Sequence, residues 1–102
     1  MNYLRLTTSL AAFGLLAGPS MAFAQETIKI GVPTALTGAY ADLGEQVRRT
    51  VDFAVEEANA AGGIDGRMIE TQYLDTQASA ATAREQAEKL VNDGHNILIG
   101  SI

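Results

Sequence analysis

The sequence contains no cysteine and a single histidine in 102 residues. Without cysteine there is no disulfide framework and no thiolate metal site. His95 has neither a second imidazole nor a thiol to join, so metal and triad chemistry are not expected around it. It is read as a solvent-exposed loop residue between a helix and a strand. Basic residues are also scarce, 7 Lys and Arg against 12 Asp and Glu, for a formal net charge of −5. With no basic patch to displace counterions from phosphates, neither a nucleic acid nor an anionic membrane surface is expected as a partner, and the acidic excess is read as ordinary solubility charge. Residues 31–38 lack the Lys-Ser/Thr of a Walker loop, and no G-x-G-x-x-G follows the first strand, so phosphate-cradling fingerprints are missing. No cofactor, metal or catalytic residue is expected. Glu56-Glu57 and Glu85-Glu88 fall at helical spacings that mark a solvated face, away from any paired acid and base.

Long apolar runs are absent too. The stretch from Leu10 to Ala17 is broken by Gly14 and followed by Gly18, Pro19 and Ser20, well short of the roughly 20 apolar residues that span a bilayer. Arg5, this short apolar core, and Ala22-Phe23-Ala24 before Gln25 follow the order of a secretory leader. Residues 1–24 are therefore read as a signal peptide cut between Ala24 and Gln25, with an uncleaved membrane anchor as the alternative. What remains, residues 25–102, is small for one α/β domain and has no disulfide to compensate.

What is present is a regular alternation of elements. Ile28-Lys29-Ile30-Gly31-Val32 reads as a short strand closed by Pro33. After a loop holding Thr37, Gly38 and Asp42, apolar residues at Leu43, Val47, Val51, Ala54, Val55, Ala58 and Ala61 fit one face of a helix. Gly62-Gly63 ends it, with one of the two expected at positive φ, and Asp65-Gly66 turns the chain. Residues 68–74 alternate loosely, as an edge strand with one wet side does. Asp75, Thr76, Gln77 and Ser79 form a polar connector in which Ser79 caps a second helix running to about Asp93. Its buried face is Ala83, Ala87, Leu90 and Val91, and Gly94 stops it. Ile97-Leu98-Ile99 reads as a strand covered on both faces. The result is a βαβαβ unit with a parallel sheet.

Several stretches carry a family resemblance: Ile28 to Val32 followed by Leu36-Thr37-Gly38; Leu43-Gly44-Glu45-Gln46; the helix end from Ala54 through Asn59-Ala60-Ala61-Gly62-Gly63-Ile64-Asp65-Gly66-Arg67; Asp75; and Lys89-Leu90-Val91-Asn92-Asp93-Gly94 to Ile97-Leu98-Ile99-Gly100. The chain resembles the amino-terminal part of periplasmic substrate-binding proteins of the leucine/isoleucine/valine-binding type, the receptors of branched-chain amino acid ABC importers. The resemblance implies the βαβαβ start of a doubly wound α/β sheet, the first lobe of a type I periplasmic binding fold, here expected to stop after its third strand. It also implies strand order two-one-three, which with right-handed crossovers puts the two helices on opposite faces. Capture of a small solute of the amino-acid class in the periplasm and delivery to membrane permease subunits, without chemistry on the solute, would follow. A small exported flavodoxin-like domain with its own interaction or enzymatic role is the alternative.

The ligand is then expected beyond the carboxyl ends of strands one and three. Tyr40 and Leu43 are candidate covers for an apolar substituent, and the amino end of the first helix offers N–H groups to a carboxylate. Ser101 is a third candidate contact. Leu43 could equally be a core residue of the first helical turn, and Tyr40 a surface aromatic.

Overall fold

A computed structural model describes residues 26–101. The expected leader and its cleavage point at Ala24 and Gln25 lie outside the described residues. The chain runs β1 (Ile28–Thr34), α1 (Ala41–Ala60), β2 (Ile69–Asp75), α2 (Ala80–Asn92) and β3 (Ile97–Leu98). The strands form one sheet in the order β2-β1-β3, and both pairings are parallel. Ile28 stands opposite Ile69 and Thr34 opposite Asp75, while β3 meets only Ile30 and Gly31. This is the expected strand order, and the helices lie on opposite faces: Val51 of α1 clusters with Ile30 and Ile69, and Leu90 of α2 sits over Gly31.

Pro33 lies inside β1 and does not end it. Along a strand, alternate residues direct their backbone polar groups to opposite neighbours. The Gly31 carbonyl accepts from Ile99 on the β3 side, and the Thr34 carbonyl accepts from Thr76 on the β2 side. The missing N–H of Pro33 therefore faces the β3 side beyond the end of that short strand, where the ladder loses nothing.

The fully buried centre comprises Val32, Ala35 and Leu90, with Val51 and Ile69 nearly so. Gly31 makes room for it, since a Cβ there would stand 2.9 Å from Leu90 Cδ1 and 2.9 Å from Leu98 Cδ2. Asn59 ties the end of α1 to the start of β2 by accepting from the Ile69 N–H at 2.8 Å and donating to its carbonyl at 3.0 Å. Nearer the start of α1, the Tyr73 hydroxyl donates to Asp52 at 2.5 Å, and the Arg48 guanidinium lies 5.1 Å from the ring centroid.

Both helices end in the same way. Gly62 (φ 103°) donates to Asn59 and Gly63 (φ 80°) to Ala58. Gly94 (φ 96°) donates to Val91 and His95 to Leu90. These are paired Schellman bonds that satisfy the last carbonyls, and their left-handed residue is the one glycine adopts without a Cβ clash. Ser79 caps α2 as expected, accepting from Thr82 at 3.3 Å.

Three expectations are corrected here. His95 is buried, 4 % exposed, because the Schellman turn folds it back over α2, where its Nδ1 also meets the Leu90 carbonyl at 3.0 Å. Val91 is exposed, since Leu90 alone turns into the sheet at that end of α2. Ile97, Leu98 and Ile99 are exposed as well: among the described residues β3 is an edge of the sheet, and the helices pack on β1 and β2.

Candidate functional site

The loops leaving the carboxyl ends of β1, β2 and β3 are residues 35–40, 76–79 and 99–101, and in open α/β sheets these ends form the ligand crevice. The first loop begins at a very close approach. Ala35 is fully buried, and a Cβ at Gly44 would fall 1.5 Å from its carbonyl oxygen, so only glycine lets the first turn of α1 seat against the end of β1.

The loop is then held from the side by Asp75, the last residue of β2. Its Oδ1 accepts from the Leu36 N–H at 2.9 Å and from the Gln77 N–H at 2.8 Å, and its Oδ2 accepts from the Thr37 hydroxyl at 2.6 Å. The Thr37 bond first, then the Leu36 and Gln77 amides, hold the Asp75 carboxyl below its ordinary 3.8, because each donor favours the ionised form. The neighbouring loop is itself unusual. Gln77 (φ 55°) and Ala78 (φ 57°) are both left-handed, a conformation uncommon outside glycine. Bonds from Gln77 N–H to Asp75, from Ala78 N–H to Thr76 Oγ1 at 3.2 Å and from Ser79 N–H to the Thr76 carbonyl at 3.0 Å keep the segment in place.

The residues singled out from sequence are distributed unevenly. Tyr40 directly precedes α1 and is 51 % exposed, and its carbonyl accepts from Leu43 and Gly44. Leu43 is 45 % exposed, so it is not the core residue that was one of its two readings. It lines a groove of about 410 Å³ along the flank of α1, shared with Val47, Val51 and, across the groove, Ile99. Leu43 is thus brought to the end of β3. Tyr40 and Ser101 do not line that groove, although both are exposed. Of the N–H groups expected to be offered at the start of α1, those of Ala41 and Leu43 are engaged, donating to the Gly38 and Tyr40 carbonyls, and Asp42 adds a negative charge in that turn.

From sequence alone Thr37 reads as a loop residue and Asp75 as part of a polar connector. The available signal was an Asp-x-Gln spacing at a strand end, the pattern of an Asx turn, which places a carboxylate beside the loop of the adjacent parallel strand. Among the described residues no three His, Asp or Glu side chains gather as a cation site, and no helix is long and apolar enough to cross a membrane.

A model of the family described as periplasmic binding protein matches residues 27–102. The chain is 44 % identical over 73 residues to the Leu/Ile/Val-binding protein homolog 2 of Brucella abortus, a match that covers 72 % of this chain and 20 % of that protein. It is 33 % identical over 98 residues to the leucine-, isoleucine-, valine-, threonine-, and alanine-binding protein of Pseudomonas aeruginosa, covering 96 % of this chain and 26 % of that one. Among solved structures it resembles the branched-chain amino acid transporter substrate binding protein of Streptococcus pneumoniae crystallised with isoleucine. There the TM-score is 0.67 and the identity 36 %, over 72 % of this chain and 22 % of that one. The chain therefore spans about a fifth to a quarter of the length of the relatives it matches. Its strands and helices follow the type I periplasmic binding fold of those structures, and since the family match runs through all five elements from β1 to β3, the chain belongs to the periplasmic binding protein family.

Proposed function

We propose that this chain forms part of the first lobe of the solute-binding component of an ABC importer. The component takes branched-chain or related amino acids, or similar small polar solutes, in the periplasm. It passes the solute to membrane permease subunits and performs no chemistry on it. The observation that carries this reading is the junction of β1 and α1. There the loop at the crevice is seated by the Ala35–Gly44 approach, latched by Asp75, and presents Tyr40 and Leu43 outward. An exposed aromatic and an exposed leucine at a strand's carboxyl end supply apolar cover, the usual complement to a few polar contacts in a small-molecule site. Ser101, on the loop after β3, is the polar candidate. The leader read at residues 1–24 supplies the route to the periplasm.

The test is a hybrid in which residues 26–101 replace the matching stretch of the Pseudomonas aeruginosa relative, titrated calorimetrically with leucine, isoleucine and valine. Saturable binding is expected, weakened by Leu43→Asp and by Tyr40→Ala. A hybrid that melts cooperatively yet binds none of the three overturns the reading.

A further inference from the structure

We infer that Asp75 is the positioning residue of the solute-facing loop: its carboxylate, carried on β2, sets the path of residues 35–40 and hence where Tyr40, Leu43 and the start of α1 stand. The importance of that loop rests on the solute-binding reading, whereas the latch itself rests on geometry alone.

Among the described residues, both hydrogen bonds that join residues 35–40 to another element through a side chain end on Asp75, from positions 39 and 38 residues away. The rest of the loop is exposed from Thr37 to Tyr40, and its other bonds among the described residues are backbone ones at the start of α1, from Ala41 to Gly38 and from Leu43 and Gly44 to Tyr40. The three donors converge on two oxygens, a demand that an ionised carboxylate meets and an amide, with one acceptor oxygen, meets in part. The same Oδ1 also receives the Gln77 amide, so one side chain fixes the first loop and the left-handed turn of the second together. The sheet does not depend on it. The β1–β2 ladder and the bond from the Thr76 N–H to the Thr34 carbonyl are made by backbone alone. Removing the carboxylate should therefore release the loop and leave the strands paired.

Amide hydrogen exchange on the full chain tests this. In Asp75→Ala, the Leu36, Ala41 and Gln77 amides should lose protection by about tenfold or more, given what a hydrogen bond to a charged group is worth. Amides of Ile30 to Val32 and of Thr71 to Tyr73 should stay as in the wild type. Asp75→Asn, retaining one acceptor, should lose less. At acid pH the wild type should move to the Asp75→Asn pattern, with no such step in that variant. Unchanged loop protection in Asp75→Ala, equal loss across the strands, no difference between the two variants, or a wild-type loop that is unprotected overturns the inference. In the hybrid, Asp75→Ala should raise the Kd for leucine by about tenfold, with partial rescue in Asp75→Asn. A hybrid that binds no leucine before substitution refutes the solute reading and leaves the exchange result to judge the latch. A hybrid that binds equally well with and without Asp75 refutes the positioning role.

Discussion

Replacing Gly44 by alanine opposes two physical effects whose signs differ. Gly44 lies in the first turn of α1, and in an ordinary helical position alanine is favoured over glycine by about 1 kcal/mol. Here the new Cβ would stand 1.5 Å from the Ala35 carbonyl oxygen and 2.6 Å from its carbon, where real Cβ atoms essentially never come within 3.0 Å. Both atoms belong to backbone, so no side chain can swing aside. The start of α1 and the end of β1 would have to part by about 1.5 Å, a displacement of the kind that makes overpacked cores lose about 1–3 kcal/mol or more. With rigid backbone on both sides the upper end applies, and after the helical gain is subtracted a net loss of about 2 kcal/mol remains. For a domain of this size that lowers the melting midpoint by about 8–16 °C. Chemical denaturation followed by far-ultraviolet circular dichroism measures it, with the denaturant slope checked for constancy. A Gly44→Ala variant at least as stable as the wild type would show that helix propensity wins and that the close approach to Ala35 is not a constraint on the fold.

Leu90→Ala should remove the cooperative transition: the side chain is fully buried against Gly31, its truncation costs about 2–5 kcal/mol, and a domain of this size has about that much in reserve. A thermal melt at the wild-type midpoint would contradict it. Tyr73→Phe should cost about 1 kcal/mol in denaturant titrations through loss of the hydroxyl bond to Asp52, since the ring and its contact with Arg48 remain. Burial first, then the bond and charge of Asp52, push the Tyr73 phenol up from 10.0 to about 12. Its folded form thus holds a proton that the unfolded form releases, and the stability it contributes is complete below pH 10 and lost as the pH rises towards 12. Ultraviolet titration should show a phenolate absorbance that develops only near pH 12 and is missing in Tyr73→Phe.

Features governed by near neighbours in sequence could be read without coordinates. The Gly62-Gly63 pair takes positive φ at the end of α1, Gly94 stops α2 and Ser79 caps it, as expected, because a helix end needs partners within a few residues and the chain itself supplies them. The order of strands and helices follows from periodicity in the same way. Pro33 shows where such reading stops: whether a proline ends a strand depends on which neighbour its nitrogen faces, and that is a property of the pairing.

By itself, then, the sequence determined the five elements, the glycine stops of both helices, the Ser79 cap and the family resemblance, since each depends on contacts or patterns local to the chain. The tertiary structure alone decided that Ile97 to Ile99 stand exposed, because apolar side chains specify what can be buried and not what lies above them. It alone decided that His95 turns inward over Leu90. It also decided that Asp75 governs a loop 38 residues earlier, since parallel pairing of β1 with β2 brings Thr34 and Asp75 to the same end of the sheet, and a carboxylate there satisfies donors that no local residue reaches.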